Sequence, residues 1–103
     1  MTHKAKKVVI ITEKLITDQV TKLIDECGAT GYTITDAGGK GSRGMRTNRG
    51  NVTDAYVNVK IQVITASEEV ADKIATRVAE EFFNNYSGIT FLEDVEIIRP
   101  QKF

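Results

Sequence analysis

Tyr56-Val57-Asn58-Val59-Lys60-Ile61-Gln62-Val63-Ile64 holds the clearest pattern in the chain. Val57, Val59, Ile61 and Val63 share one side of an extended segment, and Asn58, Lys60 and Gln62 share the other. Side chains of a strand alternate between its faces, so this segment reads as a strand with one face on a core. Downstream, Ser67 can cap a helix, with Glu68 and Glu69 in the first turn, where negative charge suits the helix dipole. Val70, Ile74, Val78 and Phe82 then form one ridge, supported by Ala71, Ala75 and Ala79, while Arg77 and Glu81 pair on the outer face. Residues 84–88 read as a turn. Residues 89–98 read as a last strand, bent or bulged at Glu93-Asp94, where polar residues interrupt it.

Upstream, Val8-Val9-Ile10-Ile11 is a β-branched run expected to form a buried strand ending near Thr12. Thr17 is the expected N-cap of a helix with Asp18 in its first turn, although the helix could begin nearer Glu13. Val20, Leu23, Ile24 and Cys27 recur at helical spacing, and Gly28 suits the left-handed residue just past the helix end. Residues 32–36 alternate and predict another strand. The order is βαββαβ with a long loop between the second and third strands. That order predicts an α+β, ferredoxin-like sandwich, a single domain over residues 1–103, with helices on one sheet face. Tyr56 and Ile64 leave apolar groups on the second face, which predicts a homo-oligomer with sheets turned inward.

Fourteen Lys and Arg balance fourteen Asp and Glu, so no overall field draws the chain to nucleic acid or to a membrane surface. The apolar run after the basic N-terminal residues is too short for a signal peptide or a spanning helix, and a cytoplasmic protein is expected. Cys27 is the only cysteine and reads as a small buried hydrophobe; His3 is the only histidine and is expected in a frayed terminus. One of each, far apart, cannot make a His/Cys metal cluster, so neither catalytic nor metal residues are expected. Glu93 and Asp94 point to opposite strand faces and read as edge charges rather than a catalytic pair. Thr12-Glu13-Lys14 could approach a ligand, but a capping or solvated role is the simpler reading.

Residues 37–54 lack hydrophobic periodicity, and a structureless loop of this length is usually functional or disordered. It carries Gly38-Gly39-Lys40-Gly41-Ser42-Arg43-Gly44-Met45-Arg46. Glycines let backbone N–H groups turn toward an anion, Ser42 adds a hydroxyl, and Lys40, Arg43, Arg46 and Arg49 add positive charge. Arginine can grip a phosphate through two parallel N–H bonds. The segment is neither the Gly-x-x-x-x-Gly-Lys-Ser/Thr phosphate loop nor a dinucleotide-binding turn. On composition alone a solvated hairpin loop with scattered cations fits equally well. An RNA-binding loop fits less well, because aromatic interleaving is missing.

Tyr32-Thr33-Ile34-Thr35-Asp36-Ala37-Gly38-Gly39-Lys40-Gly41-Ser42-Arg43, with Arg46 beyond, resembles the PII-like signalling proteins. The likeness is to their inorganic-carbon branch: SbtB-type regulators of bicarbonate transport and carboxysome-associated PII proteins. Val9-Ile10-Ile11-Thr12-Glu13-Lys14, Ile24-Asp25-Glu26-Cys27-Gly28-Ala29 and Phe83-Asn84-Asn85-Tyr86-Ser87-Gly88-Ile89 support it. The resemblance implies a homotrimer with a nucleotide in each intersubunit cleft. The long loop, about residues 37–55, would be the family's flexible T-loop, which engages a target protein. It implies Gly38, Gly39, Lys40, Gly41 and Ser42 as the loop base around the nucleotide, Arg43 and Arg46 as phosphate contacts, and Gly88 and Ile89 as the opposing wall. The implied ligands are AMP, ADP, ATP or cyclic AMP, with bicarbonate as a co-ligand and no obligatory cofactor. The implied target is a bicarbonate transporter or a carboxysome component, with the protein peripheral to the membrane rather than inserted. Where classical PII proteins carry a Gly-Asp-Gly-Lys phosphate loop before the last strand, this chain has Tyr86-Ser87-Gly88-Ile89. A CutA-like trimer and a weak nucleotide hydrolase using the same cleft are the alternatives.

Overall fold

The long strand β1 covers His3–Glu13 and starts well upstream of Val8. His3 is therefore not frayed: it lies opposite Ile97 in a ladder. The computed structural model describes residues 1–38, 40–41, 44–45 and 57–99. A 3-10 turn over Lys14–Ile16 leads into helix α1, Thr17–Glu26, followed by strand β2, Thr33–Ala37. Strands β3, Lys40–Gly41, and β4, Gly44–Met45, form a two-stranded ribbon in the region read as a structureless loop. Strand β5, Asn58–Thr65, helix α2, Glu68–Phe82, and strand β6, Gly88–Ile97, complete the order. The main sheet runs β2-β5-β1-β6 with every neighbouring pair antiparallel, the expected ferredoxin-like arrangement.

Alternation along the strands sets the core. Val8 and Ile10 of β1 and Val59, Ile61 and Val63 of β5 point to the helices and are fully buried. They meet Val20, Leu23 and Ile24 of α1 and Ala71, Ile74 and Val78 of α2. Each fully buried Val or Ile contributes roughly 1.5–3 kcal/mol, so this one layer carries most of the favourable folding term. Val70 and Phe82 pack only partly against it, because the buried stripe of α2 runs through Ala71.

Gly28 takes φ of 97° just beyond Cys27, as a left-handed helix terminator should. Ser67 caps α2 by accepting the Val70 N–H at 3.1 Å. Thr17 does not cap α1: it lies inside the helix, and its hydroxyl donates to the Lys14 carbonyl at 2.7 Å. The 3-10 turn ahead of it already supplies the preceding carbonyls, so the helix needs no side-chain cap there.

Strand β6 shows no bend at Glu93-Asp94. Its register with β1 is continuous from His3↔Ile97 to Thr12↔Gly88. The polar residues that suggested a break are cross-strand partners instead: Lys6 pairs with Asp94, and Lys7 with Glu93 at 3.2 Å.

The sheet face away from the helices carries Val9, Ile11, Ile64, Ile89, Phe91 and Val95. Val9 is 1% exposed, closed in by its strand neighbours, but Ile89 and Phe91 are 57% and 39% exposed. Tyr56, expected on this face, lies outside the described residues.

Candidate functional site

Four chain segments meet at one end of the sheet, where β1 and β2 finish and β5 and β6 start. Ala37 lies opposite Asn58, and Asn58 opposite Glu13, so these three form a transverse row over three strands. Ser87 extends the row past the last ladder pair, Thr12↔Gly88. The long loop leaves from one edge of this row, at Gly38, and the turn into β6 arrives at the other.

The turn into β6 is held by the end of β1. The Thr12 hydroxyl, on a residue 2% exposed, donates to the Ser87 carbonyl at 2.8 Å. The Glu13 carboxylate accepts from the Ser87 backbone N–H at 2.7 Å and from its hydroxyl at 3.3 Å. Gly88 packs so closely that a Cβ there would collide with the Phe83 ring and with the Thr12 hydroxyl oxygen. Two backbone groups of one residue are thus held by one buried and one half-buried side chain, which ties the Ser87-Gly88 turn to the end of β1.

The other side of the row is tied to the same strand end. The Lys14 N–H donates to the Val57 carbonyl at 2.7 Å, and its ammonium lies 3.0 Å from the Asp36 carboxylate. Thr12-Glu13-Lys14 therefore reaches both the wall and the root of the long loop. The capping or solvated role expected for this run is corrected for Glu13, whose carboxylate is engaged by a turn 74 residues away in sequence. No local pattern could have revealed that pairing.

Of the residues expected at the loop base, Gly38 follows β2 directly, and Lys40 and Gly41 pair with Met45 and Gly44 in the ribbon. Gly39, Ser42, Arg43 and Arg46 lie outside the described residues, as does Arg49. Gly88 and Ile89 open β6, which starts one residue earlier than the expected strand at 89. Within one chain Gly38 and Gly88 stand at opposite edges, because β2 and β6 are the two edge strands of a four-stranded sheet. Three strand spacings separate them, roughly 14 Å.

Elsewhere the chemistry is structural. Among the described residues no group of three or more His, Cys, Asp and Glu could hold a metal ion. Cys27 is buried, with the Arg77 guanidinium 3.9 Å from its sulfur. Arg77 donates to Glu81 at 2.7 Å and to Glu26 at 3.3 Å, joining the two helices; the hydrogen bond to Glu81 raises its pKa further above its usual value. At the far end of the sheet a cavity of about 550 Å3 is lined by Lys4, Lys6, Glu68, Asp94 and Glu96. Among the described residues, Gly38, Gly88 and Ile89 do not line it. No described helix is long and apolar enough to cross a membrane.

Comparison with known proteins adds to this geometry. A family model described as nitrogen regulatory protein P-II matches residues 5–102. A PII-like signalling protein from Thermus thermophilus is similar at 35% identity over 99% of this chain and 97% of its own, with a TM-score of 0.81. CPII from Thiomonas intermedia, in a structure bound to ADP and bicarbonate, is similar at 33% identity over 100% of this chain and 97% of its own, with a TM-score of 0.84. Bacillus subtilis GlnK in its ATP complex is 20% identical over 89% of this chain and 83% of its own, with a TM-score of 0.63, a likeness of fold.

Proposed function

The chain belongs to the nitrogen regulatory protein P-II family, and from that premise we propose that it is a non-enzymatic sensor of adenine nucleotides in inorganic-carbon metabolism. The observation that carries this reading is the placing of Gly38 and Gly88 at opposite edges of one sheet. A cleft built from both needs two copies, one giving its loop base and the next its wall. A homotrimer with sheets turned inward supplies such copies and covers Ile11, Ile64, Ile89 and Phe91 on the open face. CPII, a third identical in sequence, is bound to ADP and bicarbonate, which supports adenylates, with bicarbonate as co-ligand, as the ligands here.

In this reading a phosphate draws in Arg43 and Arg46, with Gly38, Gly39, Lys40, Gly41 and Ser42 around it and Gly88 and Ile89 opposite. Charge-assisted bonds offset the entropy of ordering a glycine-rich segment. The liganded loop then presents a different surface to a bicarbonate transporter or carboxysome component. Only a difference in affinity between the two loop states can transmit the signal.

Isothermal titration with AMP, ADP, ATP and cyclic AMP tests the reading, alongside a mass measurement by light scattering. Wild type is expected to be a trimer and to bind an adenylate. Arg43→Ala with Arg46→Ala is expected to weaken binding at least about a hundredfold, as loss of two charge-assisted contacts implies. A monomer, or unaltered binding by the double variant, refutes it. Turnover of ATP or ADP would restore the hydrolase alternative.

A further inference from the structure

Lys14 holds both ends of the long loop, each with a different group. Its backbone N–H donates at 2.7 Å to the carbonyl of Val57, the residue before β5. Its ammonium lies 3.0 Å from the carboxylate of Asp36, two residues before Gly38. β5 runs between β1 and β2, so this side chain reaches past β5 to an edge strand that β1 does not pair with. Lys14 is itself anchored, because it opens a 3-10 turn whose Ile16 is fully buried. β2 is short and thinly held. It has five residues, the first four exposed, and only β5 pairs with it in this chain. Its last ladder pair, Ala37↔Asn58, immediately precedes Gly38. A short strand paired on one side opens from its end. Among the described residues Lys14 is the only ion-pair partner of Asp36.

Resting on the cleft reading above, we propose that Lys14 is a positioning residue for adenylate binding, which keeps the end of β2 closed so that Gly38 leaves the sheet at a fixed place. It acts through Asp36 rather than on the phosphate. A ligand that needs the closed end binds more weakly by the fraction of chains in which that end is open. The ion pair raises affinity by shifting that fraction, and by no more than its own strength. Both side chains are about half exposed, 50% and 54%. A pair so placed changes an equilibrium by at most about fivefold. The hydrogen bond from the Lys14 N–H to Val57 does not involve the side chain, so substitutions at the ammonium leave the start of β5 held.

The experiment titrates AMP, ADP and ATP into wild type, Lys14→Met, Asp36→Asn and the double variant. Met keeps the length of the side chain and removes its charge. Each single variant is expected to bind the adenylate that wild type prefers about threefold more weakly. The double variant is expected to bind it no more weakly than either single one, since all three lack the same pair. Lys14→Arg, which keeps charge and reach, is expected to bind like wild type. Hydrogen exchange is expected to quicken at the amides of β2 in both single variants and to stay at the wild-type rate in the two helices, which separates an opened strand end from a damaged fold. Unchanged affinity in both single variants overturns the role of Lys14. A loss in Lys14→Met alone overturns it too, because the ammonium would then act on the ligand directly. Tighter binding by Asp36→Asn does the same, because the carboxylate would then merely repel the ligand. Each of these outcomes leaves the cleft reading standing. No binding of AMP, ADP or ATP by wild type overturns the cleft reading and this role with it.

Discussion

Lys6 and Asp94, at one end of the sheet, meet side chain to side chain, with Asp94 largely exposed. Glu13, at the other end, places its carboxylate on the backbone of a distant turn. The residue types are alike, a carboxylate and its donors on adjoining strands, yet the consequences differ. An ion pair between solvated side chains contributes little and re-forms easily when disturbed. A carboxylate on a backbone N–H fixes where the chain itself runs, and losing it leaves a part-buried donor without an acceptor. The first end records register, with Lys6↔Asp94 and Lys7↔Glu93 marking how β1 lies against β6. The second end builds a surface that a ligand could use.

The comparison breaks most readily at Gly88. Gly88→Ala is expected to destabilise the fold by about 1–3 kcal/mol, as overpacking against a fixed ring does, and to abolish adenylate binding by displacing the wall. Urea unfolding together with calorimetric titration measures both; a neutral Gly88→Ala would mean that Phe83 moves aside freely and that the wall is soft. Thr12→Val is the next step down. It preserves shape but removes the donor to the Ser87 carbonyl, and a loss of about 1 kcal/mol is expected from the denaturation midpoint.

The smallest effect is expected at the far end. The hydrogen bond from Lys6 holds the Asp94 carboxyl below its usual pKa, and the same bond to Asp94 raises the Lys6 ammonium. Asp94 binds a proton less readily folded than unfolded. Its contribution is therefore present above the ordinary carboxylate pKa, about 3.9, and disappears as pH falls through the lowered folded value. Lys6 acts in the opposite sense: its contribution is complete below its unfolded pKa and disappears as pH rises through the raised folded one. Asp94→Asn should leave nucleotide binding untouched and trail wild type only slightly in thermal melts near neutrality. The two melting curves should converge in acid. A gap that persists in acid would show that Asp94 acts through something other than Lys6.

These two ends were also unequally legible. The alternation in Val57, Val59, Ile61 and Val63 identified β5, and Gly28 and Ser67 marked helix ends, because each signal lies within a few residues of its effect. The charged start of β1 and the polar centre of β6 were misread, one as a frayed end and the other as a bend. Each looks unsuited to a strand alone, and only their register makes them complementary. Family resemblance singles out Gly88 as an expected wall residue, whereas the closeness of Phe83 and Thr12 that demands a glycine there is visible only in the folded chain. The Glu13–Ser87 tie left no trace in sequence, since the partners are 74 residues apart and neither belongs to a recognisable pairing pattern.

β1 lies between β5 and β6, with the last strand of the fold as one of its two neighbours. During synthesis the oily Val8-Val9-Ile10-Ile11 segment therefore emerges before either neighbour and waits until both β5 and β6 have followed. Closing the sheet means bringing together residues nearly the whole chain apart, a topology that slows folding. In that interval a nascent chain is open to the wrong partners. The speed at which β6 docks on β1 therefore sets when the tie between Glu13 and Ser87 can form.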